Sequence, residues 1–474
     1  MKKKIPANDW TRSGEWPVSD ALIDNTTDMQ SVSRTRKKSA HIAQISPQVT
    51  SHSADGARMA GALAHGKPGA GGAKGAPPAG KARAGRETAA LGTNAKLPAP
   101  PGNAMARRVE RFALQSVARD ILPDSRTAKC LRIRAHDSDV QVWKSKKHKT
   151  ASYGGLQTCG SVWVCPVCGA KVVERRRGEI QQAMAQHRAC GGEVHLLTLT
   201  APHTRFDVLE ELQAKLGKAL NGFLADKTVK KTFKEMGYIG QIRGYEVTHG
   251  RKGTNNGWHP HFHFLQFVQV KGDAAQLMDW KTRLYLRWDA YCQKAGLGSP
   301  SFQHGIDLRD GSFADRYISK GVWGLEDEMT KGHIKKGKAG GETPHDLLRA
   351  VLADKNDKQA MALFAEFAKA FKGKRQLSWS NGLKARFGLA DKNDEELAAE
   401  LEDNAELLGL LTPDQWRDVL KVKARATVLE LAASAGWPAV QKFLTFIDGC
   451  RDGVYQYDDS MVAEARLLIM EGMT

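Results

Sequence analysis

The stretch GWHPHFHFLQF, residues 257–267, constrains the fold most, because it sets three histidines at every second position: His259, His261 and His263. In an extended strand alternate side chains share a face, so the three imidazoles line one side while Phe262 and Phe264 point into the other. Neutral imidazoles held side by side form a metal-ligand arrangement, and two on one strand fix two corners of a coordination sphere without a loop. A half-buried strand with merely polar histidines is the competing reading. It accounts for one histidine better than for three in register beside an apolar face.

The rest of the composition narrows the partner. Lys+Arg 71 against Asp+Glu 52 gives a formal charge of +19 over 474 residues, which favours a polyanion, nucleic acid first, because binding it releases counterions. A basic surface kept for solubility is the alternative. No window approaches 18 consecutive apolar residues, so no membrane span is expected, and the basic start MKKKIPANDW has no apolar run behind it to form a secretory signal. The cysteines are odd in number and three lie close together, which fits a reducing bacterial cytoplasm with cysteine used for metal. There is no Walker or dinucleotide motif to support an ATP-driven function.

Residues 1–104 alternate Gly, Ala, Pro, Ser and basic residues, as in GALAHGKPGAGGAKGAPPAGKARAGRE, and are expected to form a disordered basic tail. Residues 105–190 form a cysteine region and a basic helix. MARRVERFALQSVARDIL reads as a helix and CLRIRAHDSDVQVW as two short strands around a turn. Cys165 and Cys168 have a two-residue spacing whose turn can place two thiolates on one ion, and Cys159 lies six residues earlier. A structural Zn2+ needs a fourth ligand: Cys130 is the first choice, His148 the second. A redox pair is the competing use, without an evident thioredoxin-like setting. Arg175, Arg176 and Arg177 follow on a helix, as a solvated face or as phosphate contacts.

Residues 191–329 hold the core. EVHLLTLT reads as a strand, residues 208–224 as an amphipathic helix, IRGYEVTHG as the hairpin partner of the histidine strand, and residues 274–295 as another helix. Ser312 and Asp315 form a capping box, so a helix is expected from Phe313, with Tyr317 and Lys320 on one face. Residues 330–345 read as a basic glycine-rich loop containing Lys335 and Lys336, further candidates for DNA contact. Residues 346–474 read as helical, with a start at Thr412–Gln415 and a break at Ser434–Pro438.

Taken together, LLTLTAPH (196–203), HPHFHFL (259–265) and YISK (317–320) resemble the three ordered motifs of plasmid rolling-circle replication initiators of the HUH endonuclease superfamily. CGSVWVCPVC resembles the cysteine motif that one branch carries upstream. The likeness covers about residues 125–325, with a weaker one at 375–389. The resemblance implies an α+β fold with a central antiparallel sheet of about five strands flanked by helices, a zinc knuckle before it and a helical C-terminal region. It also implies a metal-dependent nickase. His261 and His263, with Glu246 as third ligand, would hold Mg2+ or Mn2+; Tyr317 would attack the scissile phosphate, and Lys320 would stabilise the developing charge. The products are a 5′-phosphotyrosine and a 3′-hydroxyl for a host polymerase working with a helicase on origin DNA. The superfamily's histidine-hydrophobic-histidine pattern matches His261-Phe262-His263, which leaves His259 as a support or DNA contact. Two departures stand out. Phe313 occupies the place of the glutamate that ends the cycle in some relatives, and Gly321 follows Tyr317 by one turn, making this a single-tyrosine enzyme. The alternatives are a single-tyrosine transposase, a relaxase, and a zinc-stabilised DNA-binding regulator without catalysis.

Overall fold

The computed structural model describes residues 104–137, 139–311, 341–401 and 404–451. Its strands are β1 (Val140–Ser145), β2 (Ala151–Gly154), β3 (Glu193–Leu199), β4 (Gly240–His249), β5 (Trp258–Val268), β6 (Ile306–Arg309), β7 (Leu377–Trp379) and β8 (Ala405–Leu411). The helices before residue 300 are α1 (Ala104–Ile121), α2 (Arg126–Lys129), α3 (Pro166–Ala189), α4 (Leu209–Ala225), α5 (Lys227–Glu235) and α6 (Ala274–Lys294). Beyond it come α7 (Pro344–Ala353), α8 (Lys358–Ala370), α9 (Leu383–Arg386), α10 (Asp394–Ala399), α11 (Pro413–Lys421), α12 (Arg425–Ser434) and α13 (Gly436–Arg451).

The expected α+β class and five-stranded antiparallel sheet are present. The order is β6-β3-β5-β4-β7, with the histidine strand in the middle. β4 and β5 pair over ten residues, from Gly240 opposite Phe267 to His249 opposite Trp258. Alternation then decides what each face meets. Trp258, Phe262 and Phe264 join Leu197, Leu199, Tyr245 and Val247 in a core closed by α4, α5, α6, α7 and α8. Leu265 and Phe267 face the other way, with Val194, Leu196 and Ile242, against Ile180 and Met184 of α3 and Leu383 of α9. His259, His261 and His263 lie on that second face, beyond its apolar half. Each buried aliphatic or aromatic side chain in these layers contributes about 1.5–3 kcal/mol, so a one-residue slip of β5 would expose one core to free the other.

A second sheet, β2-β1-β8, stands on its own core with α11, α12 and α13. Here the structure differs from the sequence reading. The strand pair expected within residues 130–143 is instead β1 with β2, and only the isolated bridge between Arg134 and Leu156 involves the earlier residues. The C-terminal region is not wholly helical, since it supplies β7 to the edge of the main sheet and β8 to the small one. Both are short or half-exposed apolar runs, which periodicity cannot tell from helix. The helix start at Thr412 is as expected, with a capping box to Gln415. Among the described residues no helix is long and apolar enough to cross a membrane.

Candidate active site and cysteine cluster

The β4–β5 register sets Glu246 across from His261 and Gly244 across from His263, while Thr198 of β3 faces His263 from the other side. Glu246 Oε2 lies 3.1 Å from His261 Nε2 and 3.4 Å from His263 Nε2, and only 9–14% of these side chains is exposed. Their donor atoms fall within 4.8 Å of one another. The tautomers follow from the neighbours. His261 Nδ1 is 3.2 Å from the His259 carbonyl and Nε2 is 3.1 Å from Glu246 Oε2, so a metal at this point would take the Nε2 lone pair while Nδ1 keeps its proton on the carbonyl. Thr198 Oγ1 is 3.0 Å from His263 Nδ1 and can accept its proton, which aims the other lone pair the same way. The buried His263 Nε2 makes no hydrogen bond. Two imidazole nitrogens and a carboxylate oxygen converge within 4.8 Å, with His263 Nε2 buried and unpartnered, a donor set that fits a divalent ion. One carboxylate and two imidazoles on one side leave the remaining coordination positions open to a ligand.

His259 lies beside this group. Its ring stacks on His261 at 4.9 Å, and its Nδ1 is 3.3 Å from His203 Nδ1. Burial above all, then the neighbouring His261, pulls its pKa down to about 3, so it is neutral at pH 7. His203 extends the row of rings, 4.6 Å from His259, and accepts at Nε2 from the Asn256 amide at 3.1 Å. Thr198, His203 and Asn256 join the site only through the fold. The first two lie within LLTLTAPH, which was the available signal.

The cysteines meet elsewhere. Cys130 caps the C-terminus of α2, Cys159 follows β2, and Cys165 and Cys168 begin α3. All four are buried, with sulfurs within 4.8 Å of one another and, for Cys130, 3.4 Å from Cys168 and 3.8 Å from Cys165. Sulfurs each about 2.3 Å from one tetrahedral ion would stand about 3.8 Å apart, so the cluster fits Zn2+. His148, the other candidate for fourth ligand, sits in the β1–β2 turn outside this group. Gln115 donates to Cys165 Sγ at 3.3 Å and Thr127 to Cys159 Sγ at 3.6 Å, contacts that suit thiolates. Gln115 also accepts at 2.7 Å from Arg425, a buried arginine of α12. Burial and the nearby Arg132 lower the Arg425 pKa, whereas Tyr153, Cys130 and Cys165 act in the opposite sense.

Residues 155–272 match the family model described as a replication protein. That span is similar to a replication-protein domain. It contains Cys159, Cys165 and Cys168 and the whole Glu246–His261–His263 group. The chain is 27% identical over 350 aligned positions to "Protein rep" of Streptomyces lividans, covering 59% of this chain and 75% of the relative. It is 34% identical over 142 positions to "Neomycin resistance protein" of Streptomyces cyanogenus, covering 24% of this chain and 31% of the relative. No solved structure matches. These matches support a replication protein.

The remaining candidates divide in two. On α3, Arg175 pairs with Glu400, Arg176 with Glu179 and Asp394, and Arg177 with Glu174, so all three guanidiniums have carboxylate partners within the fold. Tyr317, Lys320, Lys335 and Lys336, together with Phe313, Asp315 and Gly321, lie outside the described residues.

Proposed function

We propose that this chain initiates rolling-circle replication of a plasmid in the bacterial cytoplasm by nicking one strand of its origin. The observation that carries the reading is the convergence of Glu246, His261 and His263 on one point of the β4–β5 hairpin within a replication-protein-like span. Glu246, His261 and His263 would hold Mn2+ or Mg2+, which supplies Lewis-acid polarisation of a phosphoryl oxygen. Two imidazoles favour Mn2+, since Mg2+ is bound mainly through oxygen.

Tyr317 would then attack. Its Oη forms a bond to phosphorus as the bond from phosphorus to the 3′-oxygen breaks, giving a 5′-phosphotyrosine and a 3′-hydroxyl that a host polymerase extends behind a helicase. Making the phenolate at pH 7 costs about 4 kcal/mol from a solution pKa near 10, and the cation of Lys320, three residues on in sequence, would offset part of it. Chain reach supports the assignment. Gly311 packs against the Val194 carbonyl, and Thr198, the neighbour of His263, is four residues further along β3, about 13 Å away. The six residues from Gly311 to Tyr317 can span up to about 20 Å. Arg175, Arg176 and Arg177 are weaker candidates for DNA contact, because each already faces a carboxylate, so Lys335 and Lys336 are preferred.

Incubation with single-stranded origin DNA and Mn2+ should give an SDS-stable adduct that Tyr317→Phe abolishes. An undiminished adduct in that variant would overturn the assignment. DNA binding without any metal-dependent cleavage would favour a zinc-stabilised regulator instead.

A further inference from the structure

We infer that Arg205 and Phe206 form a stacking platform for an unpaired base of single-stranded DNA beside the histidine row, an inference that rests on the reading of that row as a nicking site. The loop between β3 and α4 is short and fixed. Thr204 donates from its backbone at 2.6 Å and from its hydroxyl at 3.0 Å to Asp207, and Phe206 N donates to the Thr204 hydroxyl at 3.3 Å. At its far end Leu209 N donates to Glu366, whose other oxygen accepts from Trp258 of the histidine strand at 3.0 Å. At its near end His203 touches both Asn256 and His259. Gly257, with φ +79°, backs so closely on the loop that a Cβ would lie 2.7 Å from the Thr204 carbonyl.

This restrained loop does not bury its aromatic residue. Phe206 is 78% exposed, the most exposed of the large apolar side chains described, and the Arg205 guanidinium lies 4.7 Å from its ring centroid. An aromatic face beside a cation, held rigidly in a basic protein, is the arrangement that binds single strands, because every base offers a π-face and every linkage a phosphate. A duplex keeps its bases stacked on each other and gains only the charge contact. The rings of His203, His259 and His261 run from the foot of this loop to the candidate metal site at spacings of 4.6 and 4.9 Å, so a strand crossing the site would pass the platform.

The test uses the full chain without added Mn2+ or Mg2+, which suppresses cleavage and leaves Zn2+ on the cysteines, with a fluorescein-labelled oligothymidylate and a matching duplex as probes. Phe206→Ala should lower affinity for the single strand about tenfold while leaving that for the duplex unchanged. Phe206→Trp should retain affinity and show indole quenching on binding beyond that of the parent protein. Arg205→Ala should reduce the salt dependence of single-strand binding by about one phosphate contact. Unchanged single-strand affinity in Phe206→Ala, equal losses on both probes, or no added quenching in Phe206→Trp would overturn the platform. The Mn2+-dependent adduct is scored separately. If no adduct forms but the Phe206 effect persists, the nicking reading fails and the binding surface stands; the reverse result removes only the platform.

Discussion

Replacing Arg425 by Met tests whether the cysteine cluster carries net negative charge. Arg425 is 3% exposed, and its guanidinium sits 4.4 Å from the Phe112 ring centroid and donates to Gln115 at 2.7 Å and to the Leu131 carbonyl at 3.1 Å. Among the described residues no carboxylate pairs with it. Its route to a counter-charge runs through Gln115, whose Nε2 donates to Cys165 Sγ at 3.3 Å. The two contacts and the amide between them place the guanidinium within about 8 Å of that sulfur. At an effective dielectric of about 20, unit charges at that distance interact by about 2 kcal/mol. A zinc tetrathiolate carries two net negative charges, so the coupling between Arg425 and the metal should be about 2–4 kcal/mol. Arg425→Met should therefore weaken zinc retention about 30-fold or more, measured by competition with a chromophoric chelator. Arg425→Lys should recover part of the loss. In urea denaturation, removing zinc should destabilise the Met variant less than the parent, because only the metal-free parent buries a cation without a counter-charge. Unchanged zinc affinity in a folded variant, or equal destabilisation with and without the metal, would refute the electrostatic account and leave Arg425 as a structural hydrogen-bond donor.

Three further outcomes are expected. Glu246→Gln and His261→Ala should each reduce Mn2+ binding, followed by electron paramagnetic resonance, and lower nicking by about two orders of magnitude, with single-strand binding in the absence of added Mn2+ nearly intact; parallel loss of binding and cleavage would point to a structural ion. Arg251, 7% exposed in its side chain, bridges Glu342 at 2.9 Å and Asp357 at 2.8 Å, so Arg251→Ala should cost about 3 kcal/mol in urea denaturation by removing the buried cation they share and leaving only the exposed Lys252 beside Glu342. Stability should also fall as pH drops below about 6.5, because burial lowers the pKa values of His187 and His195, whose Nε2 protons are donated to backbone carbonyls. The unfolded chain takes up protons there that the folded chain refuses, by up to about 1.4 kcal/mol per pH unit for each histidine, and a flat melting temperature between pH 7 and pH 5 would contradict this.

The sequence alone determined the local codes. Alternation in HPHFHFL fixed a strand with imidazoles on one face and aromatic rings on the other, while Glu246 on its hairpin partner was pointed to by the family resemblance. The spacing of Cys159, Cys165 and Cys168 announced a thiolate cluster, and Thr412 with Gln415 announced a helix start. Each signal is carried by neighbouring residues whose geometry is set by the strand, the turn or the helix itself. Only the tertiary structure decided which distant pieces complete them. β8 pairs with β1 although more than two hundred residues separate them, β7 closes the edge beyond β4, and Arg425 reaches the cysteines through Gln115. Nothing local marks such partners, because an apolar run such as AELLGLL satisfies a helix or a strand equally until a particular sheet edge and core are there to receive it. The same holds for Phe206, which is left in solvent by a loop whose restraints come from the distant Asn256, Gly257 and Glu366.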